Sequence, residues 1–490
     1  MASWRRAWRV AAAMIGAAAL LAATTQATAS RTTASWPAED VVVARGEVLW
    51  DPGGEPLSVE SRDQERPRLV RDGASGAIVV WQDDHPENPG IYAQRVLWDG
   101  TAAWATNGVS ISGHGAVYWP DLVEDGAGGA IVTWVDERNG DRDVYAQRVL
   151  SDGTAAWATG GISVCAAPGW QVVVGGSAPD GAGGAIVVWD DYRGGDIDVY
   201  AQRVLSDGTM AWAAGAVALT ALAGDQWWAT VTSDGAGGGI VVWHGGCDGV
   251  ASICAQRVGP DGTPVWQAGG IPVGGGGGSW PVVTGDGAGG AFVAWEVAAG
   301  QYNSDLYAQR VLSDGTVAWA AGGVALTQAG GYQWFQAIAS DGEGGAIVAW
   351  QDERVGPSDP LVYAQRVLSD GTMAWEIDGS LISTETTYGY SPDILGDGEG
   401  GAWVVWCSRN VHAQRLRPDG TARWTETLLV CNSNAGRGQD YPRLVSDGAG
   451  GAVVAWQDNR RWYKVDNYDI YAQRIGEVSH RYYFPAVFED

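Results

Sequence analysis

A ten-residue element, DGxGGxxVxW, occurs eight times in the chain, and no other feature restricts the fold as strongly. The copies end at Trp81, Trp134, Trp189, Trp243, Trp295, Trp350, Trp406 and Trp456, spaced 50 to 56 residues apart. The first copy, DGASGAIVVW, is slightly altered. An AQR element follows every copy, ending at Arg95, Arg148, Arg203, Arg257, Arg310, Arg366, Arg415 and Arg474. A DGTxxW element, or a close variant, then follows seven of them, ending at Trp104, Trp157, Trp212, Trp266, Trp319, Trp375 and Trp424. Repetition at a fixed period means that each unit is one supersecondary structure whose apolar faces are covered by its neighbours.

Each unit reads as four short strands. In the second unit they are residues 120–125, 128–136, 143–151 and 154–164. Val, Ile, Trp and Tyr fill the runs, while Gly and Asp mark the breaks. The second run is continuously apolar, as a strand covered on both faces requires. Four-stranded units of this length build a β-propeller. The eighth unit lacks its DGTxxW strand, but residues 45–59, RGEVLWDPGGEPLSV, align with DGTAAWATGGISV and place Trp50 at the Trp position. The N-terminal strand is therefore expected to complete the last blade, whose other strands lie at about 441–475. The fold class predicted is all-β, an eight-bladed β-propeller of four-stranded blades. An open β-solenoid is the alternative, but it has no use for a circularly permuted strand, whereas a ring uses one to remove its edges.

The DGxGGxxVxW…YAQR units resemble a loose group of secreted bacterial β-propeller-like repeat proteins over about residues 45–475. That resemblance implies architecture and no assigned activity. The Asp-box of sialidase propellers (S-x-D-x-G-x-x-W) is a more distant likeness. Residues 446–456, SDGAGGAVVAW, depart from it in the Asp and Trp spacing, so no catalytic residue is carried over.

The first 29 residues read as a signal peptide: Arg5, Arg6 and Arg9 precede an apolar run to about Ala23, and ATA at 27–29 suits cleavage. Residues 30–44 read as a linker, 45–475 as a single propeller domain and 476–490 as a C-terminal tail. The expected location is secreted or cell-surface, with no integral membrane segment. Loss of those three Arg takes the formal charge from −27 to −30, which argues against nucleic acid as a partner. Export permits disulfides. Five Cys cannot all pair within one chain, and Cys247 and Cys254 in HGGCDGVASIC are the candidate pair. Cys165, Cys407 and Cys431 have no assignment.

The glycine-rich DGAGG is no phosphate cradle, because no Lys follows and a strand rather than a helix comes next. It reads as a hairpin turn. The eight AQR arginines occupy equivalent places and are expected to brace blades against acidic or carbonyl partners. A D-x-R pattern two residues after Trp (Asp136/Arg138, Asp191/Arg193, Asp352/Arg354, Asp458/Arg460) suggests either a Ca²⁺ loop or an Asp–Arg clasp. The clasp is favoured, so no metal or cofactor is called.

Six positions before each DG Asp stand Arg66, Trp119, Val174, Trp228, Trp280, Phe335, Ser391 and Tyr441. Five of the eight are aromatic: Trp119, Trp228, Trp280, Phe335 and Tyr441 are the candidate ligand-binding residues. They are expected at the channel mouth on the face where the blades vary, where rings stack on sugars or anchor a protein. The alternative is that they plug the channel. His85, His114, His244, His412 and His480 share no pattern, and no catalytic motif occurs. The reading is an exported, non-enzymatic propeller that binds glycan or protein at its variable face. The competing reading is a secreted carbohydrate-active hydrolase or lyase using acidic residues near the central channel.

Overall fold

A computed structural model describes residues 40–60, 63–85, 87–113, 115–173, 176–247, 253–383, 389–431, 438–460 and 467–483. The signal peptide, the linker up to residue 39, Val174, His114 and residues 484–490 lie outside the described residues.

The described chain is all-β and forms an eight-bladed propeller of four-stranded antiparallel blades. In blade 2 the inner strand is Val117–Glu124, the second Ala130–Asp136, the third Asp143–Val149 and the outer Ile162–Cys165. Every residue of the second strand is buried, which accounts for its unbroken apolar run. Trp134 pairs with Tyr145 across the ladder, and their rings stack at 6.2 Å. The eight repeat tryptophans are all fully buried. They sit in cores between blades: one such core joins Ile78 and Val80 of blade 1 to Val132 and Trp134 of blade 2. The close packing sets a local demand. A Cβ on Gly161, which has φ +88°, would meet the Trp134 ring at 2.5 Å.

The ring closes as the repeat predicts. Glu55–Ser58 pairs with Asp469–Tyr483 of blade 8 in the register that Ile162–Cys165 has on its own third strand. The Trp50 amide donates to Gln473 Oε1 at 3.0 Å, and its indole donates to the Trp98 carbonyl of blade 1 at 2.9 Å. Trp157 makes the same two bonds, to Gln147 Oε1 and to the Ser206 carbonyl of the next blade. A single core joins Trp50, Leu57 and Val453 to Val79 and Trp81 across the seam.

Several strand boundaries differ from the sequence reading. Residues 40–44, read as linker, belong to the strand Asp40–Val48, and residues 476–483, read as tail, belong to the strand Asp469–Tyr483. The inner strand of blade 2 begins three residues earlier than 120, at Val117, so it includes Trp119. Residues 154–164 are not one strand: Ala155 makes an isolated bridge to Val149, and regular pairing resumes only at Ile162. Trp157 is held in that loop by side-chain bonds, which strand propensity does not register.

The polar signature residues are structural. Asp125 Oδ1 accepts the amides of Ala127 and Gly129, each at 2.8 Å, and so builds the hairpin turn. Its Oδ2 takes Arg148 at 2.9 Å, and Arg148 Nη1 reaches the Ser206 carbonyl of the next blade. The arginine's acidic partner thus lies in its own blade and its carbonyl partner in the neighbouring one. The D-x-R motifs form the clasp: Asp136 holds Arg138 and also accepts the Trp134 indole at 2.8 Å, while Arg138 lies over Tyr145 at 4.3 Å. The same arrangement recurs at Asp191, Asp352 and Asp458. Where the motif is missing, the indoles of Trp81, Trp243, Trp295 and Trp406 have no hydrogen-bond partner. Cys247 and Cys254 form the expected disulfide, and Cys165, Cys407 and Cys431 are buried thiols.

Candidate functional site

The inner strands contact one another around the whole ring and line its centre. Each described inner strand of blades 1, 2, 4, 5, 6, 7 and 8 carries a bulge at the same place. In blade 1 the register jumps between Glu65 and Arg68, so two residues face one on the second strand. The first bulged residue is Arg66, Trp119, Trp228, Trp280, Phe335, Ser391 or Tyr441, and all seven have φ between 51° and 57°. The left-handed region is sterically unfavourable for bulky side chains and costs about 1–3 kcal/mol per residue. The second bulged residue is proline in five of these blades (Pro67, Pro120, Pro281, Pro392, Pro442), at a position that needs no ladder N–H.

Glycine is the residue that occupies such a conformation without strain. The chain has 73 glycines, yet none stands at these seven positions. The side chains are retained at a cost in backbone strain.

Neighbouring blades support two of the bulges. Asp190 of blade 3 accepts the amides of Trp228 at 2.9 Å and Ala229 at 3.2 Å, and Gln457 of blade 8 accepts the amide of Arg66 at 3.0 Å. Burial pushes the Asp190 carboxyl up to about 7, against the lowering effect of those two amides.

The bulges turn their side chains to one end of the channel. Trp119, Trp228, Trp280 and Tyr441 line a cavity of about 560 Å³ together with Tyr192, Trp227, Asp190, Arg66, Arg68, Asp121 and Arg443. Phe335 and Tyr441 line an adjoining cavity of about 330 Å³ with Asp393 and Arg443. All five predicted aromatics therefore gather at the ring centre. Trp280, Phe335 and Tyr441 are 50%, 56% and 42% exposed, so these three rings are accessible from solvent. Trp228 stacks on Trp280 at 3.6 Å and on Trp227 at 4.9 Å, and the Trp227 indole donates to His244 Nδ1 at 2.6 Å. Four rings from blades 4 and 5 thus form one slab.

Other residues of the site were not anticipated. Tyr192 and the exposed Trp170 lie in contact, with Arg142 between Trp170 and Trp119. Two residues beyond each bulge start, Arg68, Asp121, Asp393 and Arg443 form a charged sequence across the contiguous blades 7, 8, 1 and 2. That column is visible in the repeat alignment, but nothing in the sequence marks it as channel-facing. Among the described residues, no group of three or more His, Cys, Asp or Glu is placed to hold a metal ion. No described helix is long and apolar enough to cross a membrane.

No family model matches the chain, and no curated protein matches it. Solved structures similar to it include a protein of unknown function from Dyadobacter fermentans, at 8% identity and TM-score 0.43 over 88% of this chain and 99% of that one. An ulvan lyase bound to a GlcA–Rha3S repeat is similar at 9% identity and TM-score 0.44, over 89% and 98%. The NanB sialidase of Streptococcus pneumoniae is similar at 9% identity and TM-score 0.36, over 74% and 67%. At such identities and scores these likenesses carry no argument about what the chain binds or does.

Proposed function

We propose that the protein is an exported, non-enzymatic propeller that binds a glycan at the bulge-lined mouth of its channel. The observation that carries this reading is the set of strained bulges: aromatic side chains stand where glycine is free of strain, and three of them are exposed. A cavity of about 560 Å³ suits a ligand of a few sugar rings better than a flat protein surface. The Trp228–Trp280 slab offers a preorganised stacking face, whose rings lose little freedom on binding.

Glycan-array binding by the wild type and by Trp228→Ala and Trp280→Ala tests the proposal. Each variant is expected to weaken binding at least about tenfold, roughly 1.4 kcal/mol. Unchanged binding in both would sink the aromatic-rim reading.

A second reading is a secreted hydrolase or lyase. Asp121 and Asp190 line the same cavity, and burial raises both carboxyls. Asp190, however, is committed to the two amides that hold the Trp228 bulge. Release of new reducing ends or unsaturated products from a bound polysaccharide would favour this alternative.

A further inference from the structure

In an acidic chain of formal charge −27, the aromatic cavity is lined by three arginines, Arg66, Arg68 and Arg443. Arg68 and Arg443 come from adjacent blades, 1 and 8, whose inner strands are in contact. Among the described residues, no carboxylate lies within ion-pair distance of either guanidinium, whereas the AQR and D-x-R arginines each have one.

The hydrogen bonds separate the two signs of charge. The acidic groups around the cavity are already engaged. Asp190 accepts the amides of Trp228 and Ala229, Asp393 Oδ2 accepts the Leu444 amide at 3.0 Å, and Asp121 is hydrogen-bonded to Leu122 and Ser177. No hydrogen bond among the described residues joins these carboxylates to the cavity arginines, although Asp121 and Asp393 act on Arg68 through space. Among the described residues, the guanidiniums of Arg66 and Arg68 have no acceptor, and Arg443 donates only to the Pro442 carbonyl of its own strand, at 3.0 Å. A guanidinium carries five donors in a planar fork suited to carboxylate or sulfate oxygens. Burial and the Arg443 charge lower Arg68 to about 10, and the Asp121 and Asp393 carboxylates only partly offset them. An anion shared between Arg68 and Arg443 offsets their repulsion and supplies the missing acceptors. A bound cation would find engaged carboxylates and three arginines.

We infer that the glycan carries an anionic substituent, a carboxylate or a sulfate, held by Arg68 and Arg443 while its rings stack on the Trp228–Trp280 slab. This rests on the glycan-binding reading above. Arg66, exposed at its bulge, adds a third positive charge to the same cavity.

The repeat itself supplies tolerable variants. Threonine stands at the Arg68 position in blade 4 (Thr230), and serine stands at the Arg66 position in blade 7 (Ser391), with φ 51°. Arg68→Thr, Arg443→Thr and Arg66→Ser are therefore natural replacements for that backbone. Arg68→Lys and Arg443→Lys keep the charge and remove the fork.

Binding is measured by calorimetry against oligogalacturonate, carrageenan oligosaccharides and neutral galactan oligosaccharides, with a thermal melt for each variant. The wild type is expected to prefer one of the two acidic probes, and which one identifies the anion. Arg68→Thr and Arg443→Thr should each weaken that probe about tenfold or more, the Lys variants less, and none should alter the weaker binding of neutral galactan. Trp280→Ala should weaken acidic and neutral probes alike.

If the wild type binds neutral galactan as well as the acidic probes, or the folded Thr variants bind acidic probes unchanged, the anionic inference is overturned while glycan binding stands. If no probe binds, glycan recognition itself fails and the inference with it. Should a Thr variant melt far below the wild type, the Lys variants decide. Equal binding by both at an unchanged melting temperature also overturns the specific role of the guanidinium fork.

Discussion

Asp190 is a buried carboxyl that accepts the backbone amides of Trp228 and Ala229. Between the ordinary carboxylate range, near 4, and its own value of about 7, the folded state holds a proton that the unfolded chain has released. The folded state therefore binds more protons in that window, and the group's contribution to stability falls as pH rises through it. Asp190→Asn removes the titration and keeps one oxygen for the Trp228 amide. The drop in melting temperature from pH 5 to pH 8 should be smaller in the variant than in the wild type. Equal drops would show that Asp190 ionises freely in the folded protein. The residue is visible in the sequence as the first Asp of WDDYR, but only in the fold does it meet the bulge of the next blade.

At the scale of the element, the inner-strand bulge decides what the site presents. Phe335 is the simplest test, because it is more than half exposed and its φ is 51°. Phe335→Gly relieves the left-handed strain while loosening the unfolded chain, and the two effects nearly offset. Stability is expected to stay within about 1 kcal/mol of wild type, with glycan binding reduced. A loss above about 3 kcal/mol would mean instead that the ring packs the channel mouth. The repeat alignment made the aromatic column legible, since the same position recurs in every unit. The conformation was not legible: a left-handed aromatic before proline breaks the local preferences from which strands are read. Residues 154–161 show the opposite case. Their apolar residues look like a strand, but Gln147 and the Ser206 carbonyl hold Trp157 in a loop.

For the whole molecule, the seam is the vulnerable point. Deleting residues 1–62 removes Trp50 and Leu57 from the core between blades 8 and 1 and opens the edge of Asp469–Tyr483. Loss of two buried side chains of this size costs on the order of 5 kcal/mol or more. The exposed edge should promote self-association. Size exclusion and thermal melts check this, and a monomer with an unchanged melting temperature would contradict closure. At the blade 7–8 junction an ion cluster, Glu477 with Arg415 and Arg423, adds a bracing contact.

The eightfold period, the strand runs and the displaced copy around Trp50 together specify the ring from the sequence alone, because repetition and the burial it demands are local, countable properties. The site is a different matter. Which column of each inner strand faces the channel depends on bulges, and two of those, at Trp228 and Arg66, are held by Asp190 and Gln457 reaching across from neighbouring blades. The pairing of Arg68 with Arg443 joins positions 375 residues apart. Closure of the ring brings them together, and no pattern along the chain encodes their proximity.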